Sequence, residues 1–528
     1  MALTFTDLLI VGLYAFALLA IAFWVSREPK GETRDTEDYF LAGRALPWWA
    51  IGASLIASNI SAEQIIGQSG QGFAVGIAIA AYEWQAAIVL IVVAKWFLPI
   101  FLKRGIYTMP QFLDQRYGGG VKSLMSVYWI VLYTAVNLTT VLWLGGLAVN
   151  SLTGLPVMIS MAALGSFAAL YSLYGGLKAV ALTDIIQVVI LVVGGLAITW
   201  FALDRVSGGA GAFDGLALLY KEMPDHFTMI LSRDHPAYSD LPGVWTLLGG
   251  LWVLHFSYWG FNQYIIQRAL GAQSLAEAQK GLAFAAFLKL LIPLIVVIPG
   301  IAAVVLASQG AVDGVALAEK SDRTYGELMK LAPTGLRGLV FAALIAAIVS
   351  SLASMMNSIS TIFTMDIYRA AFGGRAERHY VMVGRISAFV AMGVALLLAK
   401  PFIGGFESGF QTVQEYSGFI APGVVAVFLL GFFARRTNAA GAFAALFASI
   451  GFNIAMKFGA PDVPFIIRVW IVFLGCVGMG FFFSRLTPKP APERPVQLGD
   501  IAFATGGLFN IMAILVAVFL AGLYVFLW

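Results

Sequence analysis

SLIASNISAEQIIGQSGQG, residues Ser54 to Gly72, is the stretch on which the fold turns. It lies in a segment apolar enough to enter a bilayer, yet serine, asparagine, glutamine and glycine recur through it. Backbone that leaves the helical ladder in hydrocarbon is tolerated only where it lines a cavity or is buried in protein. The stretch therefore predicts a spanning helix that breaks beside a polar centre.

Two further segments share this character: HFSYWGFNQYIIQ (His255–Gln267) and FQTVQEYSGFIAPG (Phe410–Gly423). Counting roughly 20 apolar residues per crossing, the chain divides into about 14 spans. They cover 5–25, 45–72, 73–101, 123–152, 155–175, 179–205, 242–270, 279–308, 336–368, 379–400, 408–434, 437–458, 464–485 and 505–527. The first two interrupted segments are the second and seventh. A separation of five is what two inverted five-helix repeats with broken first helices would give. A kinked structural helix explains either segment alone less well once the two stand in register. One polytopic domain is expected, with an extra helix at 5–25, repeats at 45–205 and 242–434, and further helices at 437–527.

Composition agrees. Of 528 residues, 60% are hydrophobic and 11% charged, against roughly 25% charged in a soluble domain. A net charge of +4 gives no footprint for nucleic acid. The lone Cys476 excludes an internal disulfide and a cysteine metal cluster, and His226, His235, His255 and His379 have no ligand spacing. No HExxH, P-loop or GxSxG motif is present. The N-terminus lacks the positive region of a cleavable signal. Basic residues fall mainly in alternate loops: Arg27–Arg44, Lys103–Lys122, Lys178, Arg268–Lys280, Arg369–Arg385, Arg435–Arg436 and Arg485–Arg494. The short loops on the other side hold Lys400 and Lys457. The positive-inside rule then places both termini outside and the chain in the cell (inner) membrane. The connections 206–241 and 309–335 are long enough for short surface helices.

Glu83 and Lys289 each lie about ten residues into a span, where a charge is expensive unless it faces a cavity or a partner. They read as a polar centre or as a structural ion pair. Asn59, Ser61, Gln64, Tyr258, Asn262 and Gln414 add neutral donors and acceptors at similar depth. A sugar needs this mixture, amides and a few charges for hydroxyls that both donate and accept, with an aromatic for its apolar face. Each amide taken singly reads as well as a helix–helix bond. Ser350 and Ser351 would suit a hard cation if carbonyls from a broken helix completed the shell. Adjacent serines in a membrane helix more often bond their own backbone.

At these residues the chain resembles the sodium/solute symporter family, most closely its bacterial sodium/galactose (sodium/glucose) members. The similarity runs nearly end to end through SLIASNISAEQ (54–64), AYEW (81–84), VNLTTVLWLGGLA (136–148), YSLYGGLKAV (171–180), TDIIQV (183–188), YWGFNQYIIQR (258–268), AQKGLAFAAFLKL (278–290), VSSLASMMNS (349–358), FTMDIY (363–368) and QEYSGFIAPG (414–423). The resemblance implies an all-α membrane fold with a LeuT-like core, working by alternating access. It implies a sugar site at Asn59, Gln64, Glu83, Asn137, Lys289 and Gln414, and an inner gate at Tyr258 with Trp259 beside it. It implies sodium as coupling ion, on the hydroxyls of Ser350 and Ser351 and the carbonyls of Ala57, Ile60 and Ala347, with Asp184 a sodium-linked acid. Two positions that touch sugar in the family depart from its galactose members: Ala86 replaces a serine and His255 an asparagine.

The expected activity is sodium-coupled symport of a neutral monosaccharide, with no enzymatic cofactor and with sugar, Na+ and lipid as partners; the oligomeric state is left open. The same fold could instead serve a sialic acid, a cyclitol or an amino acid. An anionic ligand would call for an arginine, and none is expected mid-span near the broken helices. A membrane enzyme would need a catalytic carboxylate or metal motif on an aqueous loop, and a channel would need a continuous pore.

Overall fold

In lipid each apolar run satisfies its own N–H and C=O groups by coiling, and the computed structural model is helical throughout, apart from an isolated bridge between Leu46 and Ala272. It describes residues 3–25, 40–403, 409–487 and 496–528. Arg27, Lys30, Arg34 and Arg494, expected on the inner side, lie outside these residues.

In chain order the helices used below are α1 (Phe5–Val25), α2 (Trp48–Asn59), α3 (Gln68–Ala74), α4 (Ile77–Arg104), α5 (Gly119–Thr153) and α6 (Val157–Val206). Next come α7 (Leu251–His255), α8 (Gln263–Leu270), α9 (Leu275–Ser308), α10 (Leu336–Ala371) and α11 (Glu377–Ile403). Last are α12 (Gly409–Gly418), α13 (Ala421–Phe433), α14 (Ala439–Gly459), α15 (Phe465–Leu486) and α16 (Gly507–Phe526). Among the described residues nine helices are long and apolar enough to cross a membrane, or ten if α12 and α13, bent by 45°, form one span. The expected count of 14 is therefore not reproduced by length alone, because the interrupted segments are divided into pieces too short to qualify and the apolar stretches Phe5–Ile21 and Val157–Leu170 also fall short. A second difference lies between the spans expected at 155–175 and 179–205, where Lys178 was expected in a loop. There α6 continues as one helix for 50 residues. The two connections do carry short helices, at Ala212–Glu222, Gly314–Glu319 and Thr324–Met329.

Burial orders the bundle. The most apolar stretch of α10 is 89% buried, whereas that of α16 is 17% buried and faces outward. α10 packs against α6, α1, α11 and α2. The break in the first interrupted segment is local. α2 ends at Asn59, Ile60 takes φ −73° and ψ 78°, and Ser61 N–H turns back to Asn59 O. A π-helical turn, Glu63–Gly67, follows before α3 begins. The second break has the same parts. α7 ends at His255, a π turn covers Phe256–Gly260, and the Asn262 side chain caps α8 by accepting from Tyr264 N–H. Such π turns occur often at functional sites.

Small residues fix where these breaks sit. A Cβ on Gly300 would lie 2.3 Å from Ser69 O, and one on Gly72 2.6 Å from Val297 O. The backbones of α3 and α9 therefore touch directly, as small residues allow in a bilayer. On the same side of the bundle, Asp322, in the loop before α10, accepts the Gly409 N–H at 3.0 Å. Burial pushes its carboxyl up to about 6, against the pull of that bond and of Lys320. A Cβ on Gly70 would lie 2.7 Å from the Ser321 carbonyl carbon, so this loop wedges between α3 and the start of α12.

Candidate functional site

The breaks face each other across one pocket. Its lining includes Asn59, Gln64, Glu83, Asn137, His255, Tyr258, Trp259, Lys289 and Gln414. The expected ligand-contacting residues therefore converge, from α2 and its π turn, α4, α5, the second break, α9 and α12. The free volume is about 70 Å³, well below the several hundred of a typical ligand pocket, because the polar groups have closed on each other. Lys289 donates to Glu83 and to Asn59 Oδ1. Gln68 donates to Glu83 Oε1 at 2.6 Å. The Lys289 ammonium stands 4.7 Å from the centre of the Trp259 ring. Asn59 Nδ2 donates to the Tyr258 hydroxyl at 3.2 Å, and Tyr264 donates to the same oxygen at 2.6 Å. Tyr258 and the first broken helix are thus joined by a hydrogen bond, and the bond sits beside the ion pair.

Three parts of the lining come from π turns: Gln64 from Glu63–Gly67, Asn137 from Leu132–Leu138, and Tyr258 with Trp259 from Phe256–Gly260. A π turn widens the helix and changes its register, so residues that an α-helix would turn aside face the cavity. Sequence reasoning missed Glu63 for this reason. Glu63 lines the pocket and accepts from Gln414 Nε2 at 3.4 Å. Tyr82 and Phe410, a T-shaped pair with centres 5.1 Å apart, close one side. His255 lines the pocket with its Nε2 buried and without a hydrogen-bond partner. Ala86 is fully buried and is not part of the lining. Asn262 lines the pocket too, but its Oδ1 is held by the Tyr133 hydroxyl at 2.7 Å as well as by Tyr264 N–H.

A second polar cluster lies where α2 meets α6, α8 and α10. Ser350 donates to Asp184 Oδ1. Ser351 donates to Ser58 O at 3.0 Å. Both hydroxyl protons are engaged, which leaves the oxygen lone pairs available to a cation. The break at Ile60 sends Ser61 N–H to Asn59 O, away from the Ala57 carbonyl four residues before it. Ala347 is one turn from Ser351 on the same helix face. Ala57, Ile60, Ala347, Ser350 and Ser351 are all buried. These donors, carbonyl and hydroxyl oxygens, suit a hard monovalent cation.

Arg268 corrects an expectation. It is 1% exposed, and its guanidinium donates to Ser54 Oγ at 2.6 Å and to Ser354 Oγ at 2.5 Å, with Asp184 Oδ2 3.7 Å away. An arginine does lie against the first broken helix, but in the Asp184 cluster and outside the lining of the pocket. Sequence alone put it in a basic loop because it ends the run YWGFNQYIIQR next to polar residues.

A model described as the sodium:solute symporter family matches residues 39–449. A sodium/glucose cotransporter of Vibrio parahaemolyticus is 47% identical over 537 aligned residues, covering 100% of this chain and 99% of the relative. Sodium/glucose cotransporter 1 of Mus musculus is 32% identical, covering 85% of this chain and 71% of the relative. The solved structure of a Na+-coupled sialic acid symporter, substrate-bound and outward-open, superposes with a TM-score of 0.81 at 22% identity, covering 93% of this chain and 100% of that one. At that identity the likeness speaks for the fold alone.

Proposed function

This chain belongs to the sodium:solute symporter family, and from that premise we propose that it carries a neutral monosaccharide, galactose- or glucose-like, into the cell through the cell membrane. It is a transporter, not an enzyme, and sodium is its coupling ion. The fold is the LeuT-like one, two inverted five-helix repeats with broken first helices; we assign the repeats to 45–205 and 242–434. The observation that carries the sugar reading is the pocket itself, in which amides, two carboxylates and one ammonium meet beside Tyr258 and Trp259. A neutral polyol can take over the hydrogen bonds these groups make to one another. The absence of an arginine from the lining disfavours an anionic solute.

The coupling follows from the shared helix. Sodium on Ser350, Ser351 and the carbonyls of Ala57, Ile60 and Ala347 fixes the end of α2, which carries Asn59. Asn59 holds the Tyr258 hydroxyl and takes a bond from Lys289. Sodium binding therefore selects the conformation in which the sugar groups are in place, and sugar selects closure. Purified protein in proteoliposomes should accumulate labelled galactose or glucose above the equilibrium level only when a sodium gradient points inward. Uptake indifferent to the gradient would refute the coupling; gradient-driven uptake of an amino acid with no sugar uptake would refute the substrate.

Tyr258→Phe keeps the ring and removes the oxygen on which Asn59 and Tyr264 converge. Loss of two hydrogen bonds, each about 1 kcal/mol, should loosen the gate and raise sugar efflux in the absence of sodium. Unchanged efflux, measured on preloaded vesicles, would remove the gate assignment.

His255 and Ala86 mark where this chain departs from the galactose members it resembles. The unpartnered Nε2 of His255 offers the pocket one ring nitrogen where those members offer an amide. His255→Asn combined with Ala86→Ser should change the order in which galactose, glucose, mannose and xylose compete for uptake. An identical order in the double variant would show that these positions do not select the sugar.

A further inference from the structure

Outside the pocket, a groove of about 500 Å³ runs along the membrane face between α5, α10 and α11. Ile130, Ile359, Phe363, Ile386, Val390 and Val394 are among its walls, and no acidic or basic side chain contributes. The stripe on α11 recurs at three- and four-residue steps, from Val383 through Ile386 and Val390 to Val394, so one face of that helix is apolar along its length. Ile386 and Val390, each 57% exposed, lie open to the bilayer. One turn before Val383 this face reaches His379, whose Nε2 lies 2.8 Å from the hydroxyl of Tyr368, itself a wall of the groove. Just before His379 in the chain, Arg375 and Arg378 are exposed and their guanidinium groups have no acidic partner among the described residues, while Arg369 is already paired with Glu377 at 3.1 Å.

We propose that the groove is a binding site for an anionic phospholipid, one acyl chain lying along α11 and the headgroup held by Arg375 and Arg378. The pattern is an apolar channel whose α11 face runs toward a chain segment bearing two exposed cations, and charge complementarity picks the negative headgroup over a zwitterionic one. A basic pocket between spanning helices at a membrane surface is a recurrent way of holding such lipids. Tyr368 and His379 close the channel where the glycerol backbone would lie, as amphipathic rings do at the headgroup level.

The test is lipid retention. Protein is equilibrated with mixed phosphatidylglycerol and phosphatidylcholine, stripped stepwise with detergent, and the bound lipid read by native mass spectrometry. The wild type should retain phosphatidylglycerol preferentially. Arg375→Gln and Arg378→Gln should each lower that preference roughly fivefold, since a cation near the surface contributes on the order of a factor of five. Val390→Trp, which fills the channel and leaves the arginines alone, should release the lipid as well. Preference unchanged in the double arginine variant overturns the headgroup assignment. Retention unchanged in Val390→Trp overturns the channel, and a change in oligomeric state without lipid loss overturns it in favour of a contact between copies. Because the readout is bound lipid, failure here leaves sodium-driven uptake as a separate question.

Discussion

Lys289→Met is expected to weaken sugar binding by about a hundredfold or more, the largest effect of any single change in the pocket. The side chain is 1% exposed and bonds both Glu83 and Asn59. Removing one partner of a buried ion pair costs about 3–5 kcal/mol, because the remaining charge stays buried and uncompensated. Here that charge is Glu83, at 2% side-chain exposure, with Gln68 still donating to it among the described residues. Glu63 stands in the same lining. Part of the loss is folding rather than recognition, and the double variant Glu83→Gln with Lys289→Met separates the two. It should melt near the wild-type temperature in detergent and still fail to bind sugar tightly. Wild-type sugar affinity in Lys289→Met, measured by equilibrium binding, would end the proposal that this pair contacts the substrate.

Ser351→Ala should abolish sodium-driven accumulation while sugar exchange across the membrane persists. The variant removes one of the two hydroxyls proposed to ligate sodium, and the bond from Ser351 to Ser58 O goes with it. The concentration of sodium giving half-maximal uptake is expected to rise by about tenfold or more, the factor that corresponds to roughly 1.4 kcal/mol of lost binding. Exchange is the control, since it needs the pocket and the gate but no net gain from sodium. A variant that accumulates sugar with an unaltered sodium requirement would place the cation elsewhere.

The broken helices were legible because serine, asparagine, glutamine and glycine recur together through apolar spans that stand five apart, where an isolated polar residue would read as a helix–helix contact. Glu83 and Lys289 stood out on the same ground, as charges too deep to be solvated. What could not be read was register. Glu63 and Gln64 both face the pocket only because a π turn replaces the α-helical step, and nothing in their spacing announces that turn. Long-range pairing was equally hidden. Arg268 meets Ser54 across 214 residues of sequence, and its position after the polar run looked like a membrane surface. The sequence of the continuous α6 reads as two spans, 155–175 and 179–205, because its 50 residues exceed what one crossing needs.

The way the pocket closes has a consequence for what it can refuse. Its central donors and acceptors are already matched, ammonium to carboxylate and amide, amide to phenol, while His255 Nε2 and Asn137 Oδ1 stay unpartnered. A solute enters by exchanging these bonds one for one. A solute lacking a hydroxyl, such as a deoxy analogue, breaks an internal bond and returns nothing, which leaves a buried group unpaired. Sites built this way reject a missing hydroxyl by factors of about 10⁴ to 10⁵, whereas an added methyl in an apolar pocket is resisted by only about 10 to 200. The chain should therefore judge solutes more severely by what they lack than by what they carry.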